Sequence, residues 1–103
     1  MNSRVLVISA GTLMFSALAV VAQDNAAVVR DAFMQAHHRM MADMGVEPTG
    51  DADKDFVSMM IPHHRGAIDM AEVELKYGKD EKLRAMAEDI IAAQNKEIAE
   101  MEA

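Results

Sequence analysis

The chain has 103 residues, a formal charge of −7, four histidines, eleven methionines and no cysteine. One domain is the expectation at this length. The missing thiols exclude disulfides, a thiolate zinc site and lipoprotein anchoring. The acidic balance without a basic cluster argues against nucleic acid and anionic lipid as partners.

The first element is a leader rather than part of the fold. Arg4 gives a short positive start, and Val5 to Ala22 is apolar and small, without charge. Gln23-Asp24-Asn25 then turns polar. This is the pattern of a secretory signal peptide, with Val20 and Ala22 at the small-residue cleavage positions. Cleavage after Ala19 and an uncleaved membrane anchor are the weaker alternatives. The expected division is a signal peptide over 1–22 and a helical metal-binding domain over 23–103, exported to the periplasm and off the membrane once cleaved. That remainder approaches the lower size limit for a self-sufficient core.

A first helix is predicted from about Asn25 to Met44, capped by Asp24 or Asn25 and stopped by Gly45. Its apolar stripe is Val29, Phe33, Ala36, Met40 and Met44, with His37 at the edge. Residues four apart stack on a helix. Met34 therefore pairs with His38, and His37 with Met41. A turn-rich loop, Gly45 to Gly50, leads to a second helix capped within Asp51–Asp53 and ending at Tyr77-Gly78. Asp51-x-Asp53-x-Asp55 starts like a calcium loop but has Phe56 where glycine is required and Pro62 where the last glutamate should stand. Those aspartates are better read as capping groups.

The second helix carries the most informative stretch, Met59-Met60-Ile61-Pro62-His63-His64. Val57, Ile61, His64, Ile68, Ala71 and Leu75 share one narrow stripe, so His64 occupies a core position. Met59 stacks with His63 and Met60 with His64, while Met70 lies on the His63 side. Pro62 cannot donate to Ser58, yet the stripe runs unbroken through it. A continuous, kinked helix is expected. Asp80 caps a third helix, Glu81 to about Glu102, with Leu83, Met86, Ala87, Ile90, Ile91, Gln94, Ile98 and Met101 as its buried face. No strand signal is present.

All four histidines thus form two adjacent pairs flanked by methionines. Thioethers are poor zinc ligands, and no histidine has the glutamate three residues before it that a di-iron bundle uses. Thioethers suit Cu(I), and imidazole suits either oxidation state of copper. The candidate copper ligands are Met34, His37, His38, Met41, Met59, Met60, His63, His64 and Met70, with Cu(I) favoured and Cu(II) possible. Met40, Met44, Met86 and Met101 read as core filler. Ser58 has no visible oxyanion hole or orienting partner, so turnover chemistry is not expected. Two rivals from other classes are a haem-binding electron carrier using a Met/His axial pair and a metal-free structural or interaction module.

The segments 49–57, 60–71 (Met-Ile-Pro-His-His-Arg-Gly-Ala-Ile-Asp-Met-Ala), 77–80 and Ile90-Ile91-Ala92-Ala93-Gln94 with Glu97-Ile98 resemble the CopM-family metallochaperones of the domain-of-unknown-function 305 class. The resemblance implies a ferritin-like helical bundle and periplasmic copper binding, with Met60, His63, His64 and Met70 carrying the metal motif. In the first helix this chain has His37-His38 where a Met-His pair is usual. The resulting expectation is an all-α protein, a small antiparallel three-helix bundle completed by dimerisation, that passes copper to a periplasmic acceptor or exporter by ligand exchange.

Overall fold

The computed structural model describes the backbone of residues 11–103 and the side chains from residue 25 onward. The described residues are all-helical, without strands: α1 (Gly11–Asp43), α2 (Ala52–Tyr77) and α3 (Glu81–Glu102). Residues 1–10 of the leader expected over 1–22 lie outside what is described. From Gly11 its backbone belongs to α1, which therefore starts well before the expected Asn25. Gly11 to Ala22 contains no proline and several strong helix formers, so nothing in it breaks the helix. Among the described residues, no helix is long and apolar enough to cross a membrane.

Local chemistry explains the boundaries of α2 and α3. Gly50 has φ +92°, a backbone conformation that suits glycine. Asp51 follows as the N-cap of α2, its carboxylate accepting from the N–H of Asp53 at 3.1 Å and of Lys54 at 3.2 Å. A cap of this kind stabilises a helix by about 1 kcal/mol. Asp55 reaches back to accept from the Thr49 N–H and hydroxyl, both at 2.8 Å, and from the Gly50 N–H at 2.9 Å. These three bonds hold its carboxyl below the usual carboxylate range, the Thr49 N–H contributing most. The carboxylates of Asp51 and Asp55 are thus spent on backbone groups at the start of α2. At the other end, the Gly78 N–H bonds the Glu74 carbonyl at 2.7 Å. Arg84 of α3 donates to the carbonyls of Leu75 (2.6 Å) and Gly78 (3.2 Å). It satisfies acceptors that a helix end leaves open and ties α3 to α2. Asp80 caps α3 by accepting from the Leu83 N–H at 2.9 Å.

The middle helix α2 packs on both neighbours, whereas α1 and α3 nowhere bring their Cα atoms within 8 Å of each other. One face of α2 meets α1 through Pro62 and Gly66, both buried. A Cβ on Gly66 would run into Met40, lying 2.7 Å from its Cγ and 3.0 Å from its Cβ. Arg39 and Asp69 add an ion pair at 3.5 Å across this contact, and Ala36 of α1 is 0% exposed. The opposite face carries the predicted stripe. His64 and Ala71 are buried there, and Val57, Ile61, Ile68 and Leu75 are half-buried. It meets α3, where Ala87 and Ile98 are buried. The helix continues through Pro62 without interruption, as the unbroken stripe requires.

The result is an open helical layer in which α2 lies between α1 and α3. Consequently no large side chain is fully buried among the described residues. Two expectations change. Leu83 and Met86, predicted in the buried face of α3, are each 49% exposed, and Phe33 of the α1 stripe is also exposed. Their periodicity is that of a core face, but α1 and α3 stand too far apart to cover it. All three line one apolar groove floored by Ala67, Met70 and Ala71 of α2.

Candidate functional site

The histidine–methionine stretch of α2 lies along two grooves that share Phe56 and Met60. The first runs beside the end of α1. Met59, Met60 and His63 line it together with Met44, and its wall is otherwise mostly apolar. Met59 and His63 come to this side because they are four apart on the helix. Met44 comes from the turn that directly follows α1, where its N–H bonds the Met40 carbonyl at 2.9 Å and the Gly45 N–H bonds the Ala42 carbonyl at 3.2 Å. Three thioethers and one imidazole are thus gathered from α2 and the end of α1. Such donors are soft to borderline. Met44 is a residue that periodicity alone assigns to core filler.

The second groove lies between α2 and α3 and is lined by Met60, His64, Glu97 and Met101, with Phe56 and Glu100. His64 is 7% exposed. Its Nε2 meets Oε2 of Glu97, a residue 33 positions later on α3. Its Nδ1 is buried and has no hydrogen-bond partner among the described residues. The next residue, Arg65, donates to Glu102 at 2.9 Å, an exposed ion pair that fixes the same α2–α3 register. Glu97 and Met101 are not among the ligands expected from the sequence, yet both line this groove. Glu97 does stand four residues before Met101, which is the one sequence signal that could have joined them.

The other predicted ligands are placed apart. Met70 lies in the apolar groove with Phe33, Leu83 and Met86. Met34, His37, His38 and Met41 are exposed on α1, the two imidazole rings being 6.1 Å apart and tilted by 57°. None of these four lines either histidine groove of α2. Among the described residues no three histidine, aspartate or glutamate side chains converge as a metal cage.

A stretch of 49 residues is 43% identical to an uncharacterised protein of Acanthamoeba polyphaga mimivirus, covering 48% of this chain and 32% of that relative. The chain thus matches about a third of that relative's length. A family model, the domain of unknown function DUF305, matches residues 15–103, which takes in α2, α3 and nearly all of the described α1. The chain belongs to the DUF305 family.

Proposed function

We propose that this protein binds copper through methionine and histidine and sequesters or carries it without chemical turnover. The observation that supports this reading most is the groove in which Met44, Met59, Met60 and His63 meet. Packing alone does not call for three thioethers around an imidazole at a solvent-open edge. Soft donors of that kind favour Cu(I), and the imidazole allows Cu(II) as well. Met34, His37, His38 and Met41 form an exposed set on α1 that suits capture and handover. Ligand exchange between neighbouring partial sites then moves the ion toward a periplasmic acceptor or exporter. The leader pattern of residues 1–22 supports export.

The same reading takes the three helices as an antiparallel, ferritin-like arrangement. Its missing side is closed by a second copy over the groove of Phe33, Met70, Leu83 and Met86. A fourth helix, or a copy of this layer, would bury an apolar surface that one chain leaves in water.

The test is an anaerobic Cu(I) titration against a competing chelator. Met44→Leu, Met59→Leu and Met60→Leu together keep bulk, since Met-to-Leu exchanges cost less than about 1.5 kcal/mol each, and remove the sulfur. Cu(I) affinity should fall at least about tenfold, a change of 1.4 kcal/mol, while Zn(II) uptake changes little. Unchanged Cu(I) affinity would make these methionines packing residues and overturn the reading.

A further inference from the structure

We infer that Glu97 is a positioning residue: it holds His64 as the Nε2–H tautomer and thereby makes the His64 Nδ1 lone pair a Cu(I) donor, beside the thioethers of Met60 and Met101. This inference rests on the copper reading above and adds to it a second, differently built site closed by α3.

The chemistry of the pair fixes the tautomer. An ionised carboxylate only accepts hydrogen bonds, so the Nε2 that faces Glu97 carries the proton. In a neutral ring the other nitrogen, Nδ1, is then a bare acceptor. It is buried and lacks any donor among the described residues. A buried acceptor left unpaired is costly and calls for an explanation. Packing does not supply one. His64 stands in a stripe otherwise made of valine, isoleucine, alanine and leucine, where an aliphatic side chain would fill the space with no orphaned atom.

A metal ligand accounts for both nitrogens together. Ligating histidines nearly always donate their second ring N–H to a carboxylate, carbonyl or water, which orients the ring and raises its basicity. Glu97 stands in that relation to His64, across from it on α3. It is 53% exposed at the side chain, so the pair lies at the rim of the groove rather than sealed inside. The soft donors are at hand. Met60 precedes His64 by four residues and shares its side of α2, Met101 follows Glu97 by four on α3, and both line the groove with them. Imidazole with two thioethers is a Cu(I) donor set. Met60 also lines the groove of Met44, Met59 and His63, so it is the one sulfur common to both sites and a natural bridge for ion transfer.

Long-range proton–nitrogen correlation of the imidazoles in the 15N-labelled protein tests this, with Cu(I) alone as the probe under anaerobic conditions. The apo protein should show His64 protonated at Nε2. Saturation with Cu(I) should move its Nδ1 resonance strongly while Nε2 keeps its proton. Glu97→Ala should scramble the tautomer and weaken Cu(I) binding at His64 by about 10–100-fold, the usual effect of losing such a partner. Glu97→Gln, whose amide oxygen can still accept from Nε2, should recover much of the loss. A His64 protonated at Nδ1 in the apo protein would overturn the inference. So would an unmoved Nδ1 at saturation while His63 or the methionine methyl groups respond, an outcome that leaves copper binding itself standing. If no histidine or methionine signal moves, both readings fail.

Discussion

Gly66 of α2 lies directly under Met40 of α1, so close that the methionine occupies the space a Cβ would need. This contact sets how near the two helices come, and with it how Met44 is presented to Met59, Met60 and His63. Alanine at position 66 would gain about 1 kcal/mol in helix propensity over glycine. It would also force overpacking, which costs about 1–3 kcal/mol in a fitted contact. Gly66→Ala should therefore destabilise the protein by about 1 kcal/mol, or about 4–8 °C in melting temperature for a domain of this size. A Met40→Ala background removes the sulfur and Cγ and leaves only the Cβ contact at 3.0 Å, so most of the overpacking is relieved and the helix-propensity gain should make the same change stabilising. Thermal unfolding of the four proteins of this cycle checks the reversal of sign. A destabilisation of equal size in both backgrounds would mean that Met40 is not what Gly66 accommodates.

The loop before α2 should make stability sensitive to acid. Asp55 has its carboxyl held below the ordinary value of 3.8 by the Thr49 N–H first, then by the Thr49 hydroxyl, with the Gly50 N–H adding a smaller share. A depressed folded-state value means that stability is contributed above the unfolded value and lost as the pH falls through the folded one. Wild type should thus exceed Asp55→Asn in stability near neutrality. The gap should narrow below about pH 4 and close once the carboxyl is protonated in both states. Denaturant unfolding across that range measures it. A gap that is independent of pH would show that Asp55 acts through shape and not charge.

Much of this was legible from local rules. The caps Asp51 and Asp80, the ends of α2 and α3, and the burial of His64 on an apolar stripe all follow from spacing and capping chemistry within a few residues. The uninterrupted passage through Pro62 follows from the stripe as well. Periodicity, however, names a face without naming what covers it. Leu83 and Met86 have the spacing of buried residues and stand in an open groove, because α1 and α3 flank α2 without meeting. Met44 and Met101 look like filler until the partner helix brings His63 and His64 beside them. The His64–Glu97 contact spans 33 positions and two helices, and no local pattern encodes it. Gly45 ends α1 without a positive φ, so glycine's left-handed freedom is used at Gly50 instead.

The open groove of Phe33, Met70, Leu83 and Met86 should be covered in solution by a second copy. Its residues come from all three helices and its lining is almost wholly apolar. A charge placed there would have to be buried without a partner in the pair, at a cost of several kcal/mol, while the single chain would leave it in water. Leu83→Glu with Met86→Glu should accordingly shift the protein from dimer to monomer in light scattering or sedimentation without unfolding it. A wild-type protein that stays monomeric at high micromolar concentration would reject the second copy as the occupant.

Copper should raise the melting temperature, and His63 and His64 should contribute to that rise in different ways. A ligand that binds only the folded state adds about 2.7 kcal/mol at a hundredfold excess over its dissociation constant. In a domain this small that corresponds to a rise of several degrees, reduced by whatever binding the unfolded methionines and histidines retain. His63 is exposed, so His63→Ala should leave the apo melting temperature nearly unchanged, within the roughly ±0.5 kcal/mol of ordinary surface substitutions. It should nevertheless remove a large part of the copper-induced rise. His64 is buried and bonded to Glu97. His64→Ala should lower the apo melting temperature as well, because it opens a void between α2 and α3 and leaves Glu97 without its donor. Scanning calorimetry with and without Cu(I) separates the two effects. If His63→Ala keeps the full copper-induced rise, the groove of Met44, Met59 and Met60 is not the site; a rise then lost in His64→Ala assigns copper to the α2–α3 groove, and a rise kept in both assigns it to the exposed set around His37 and His38.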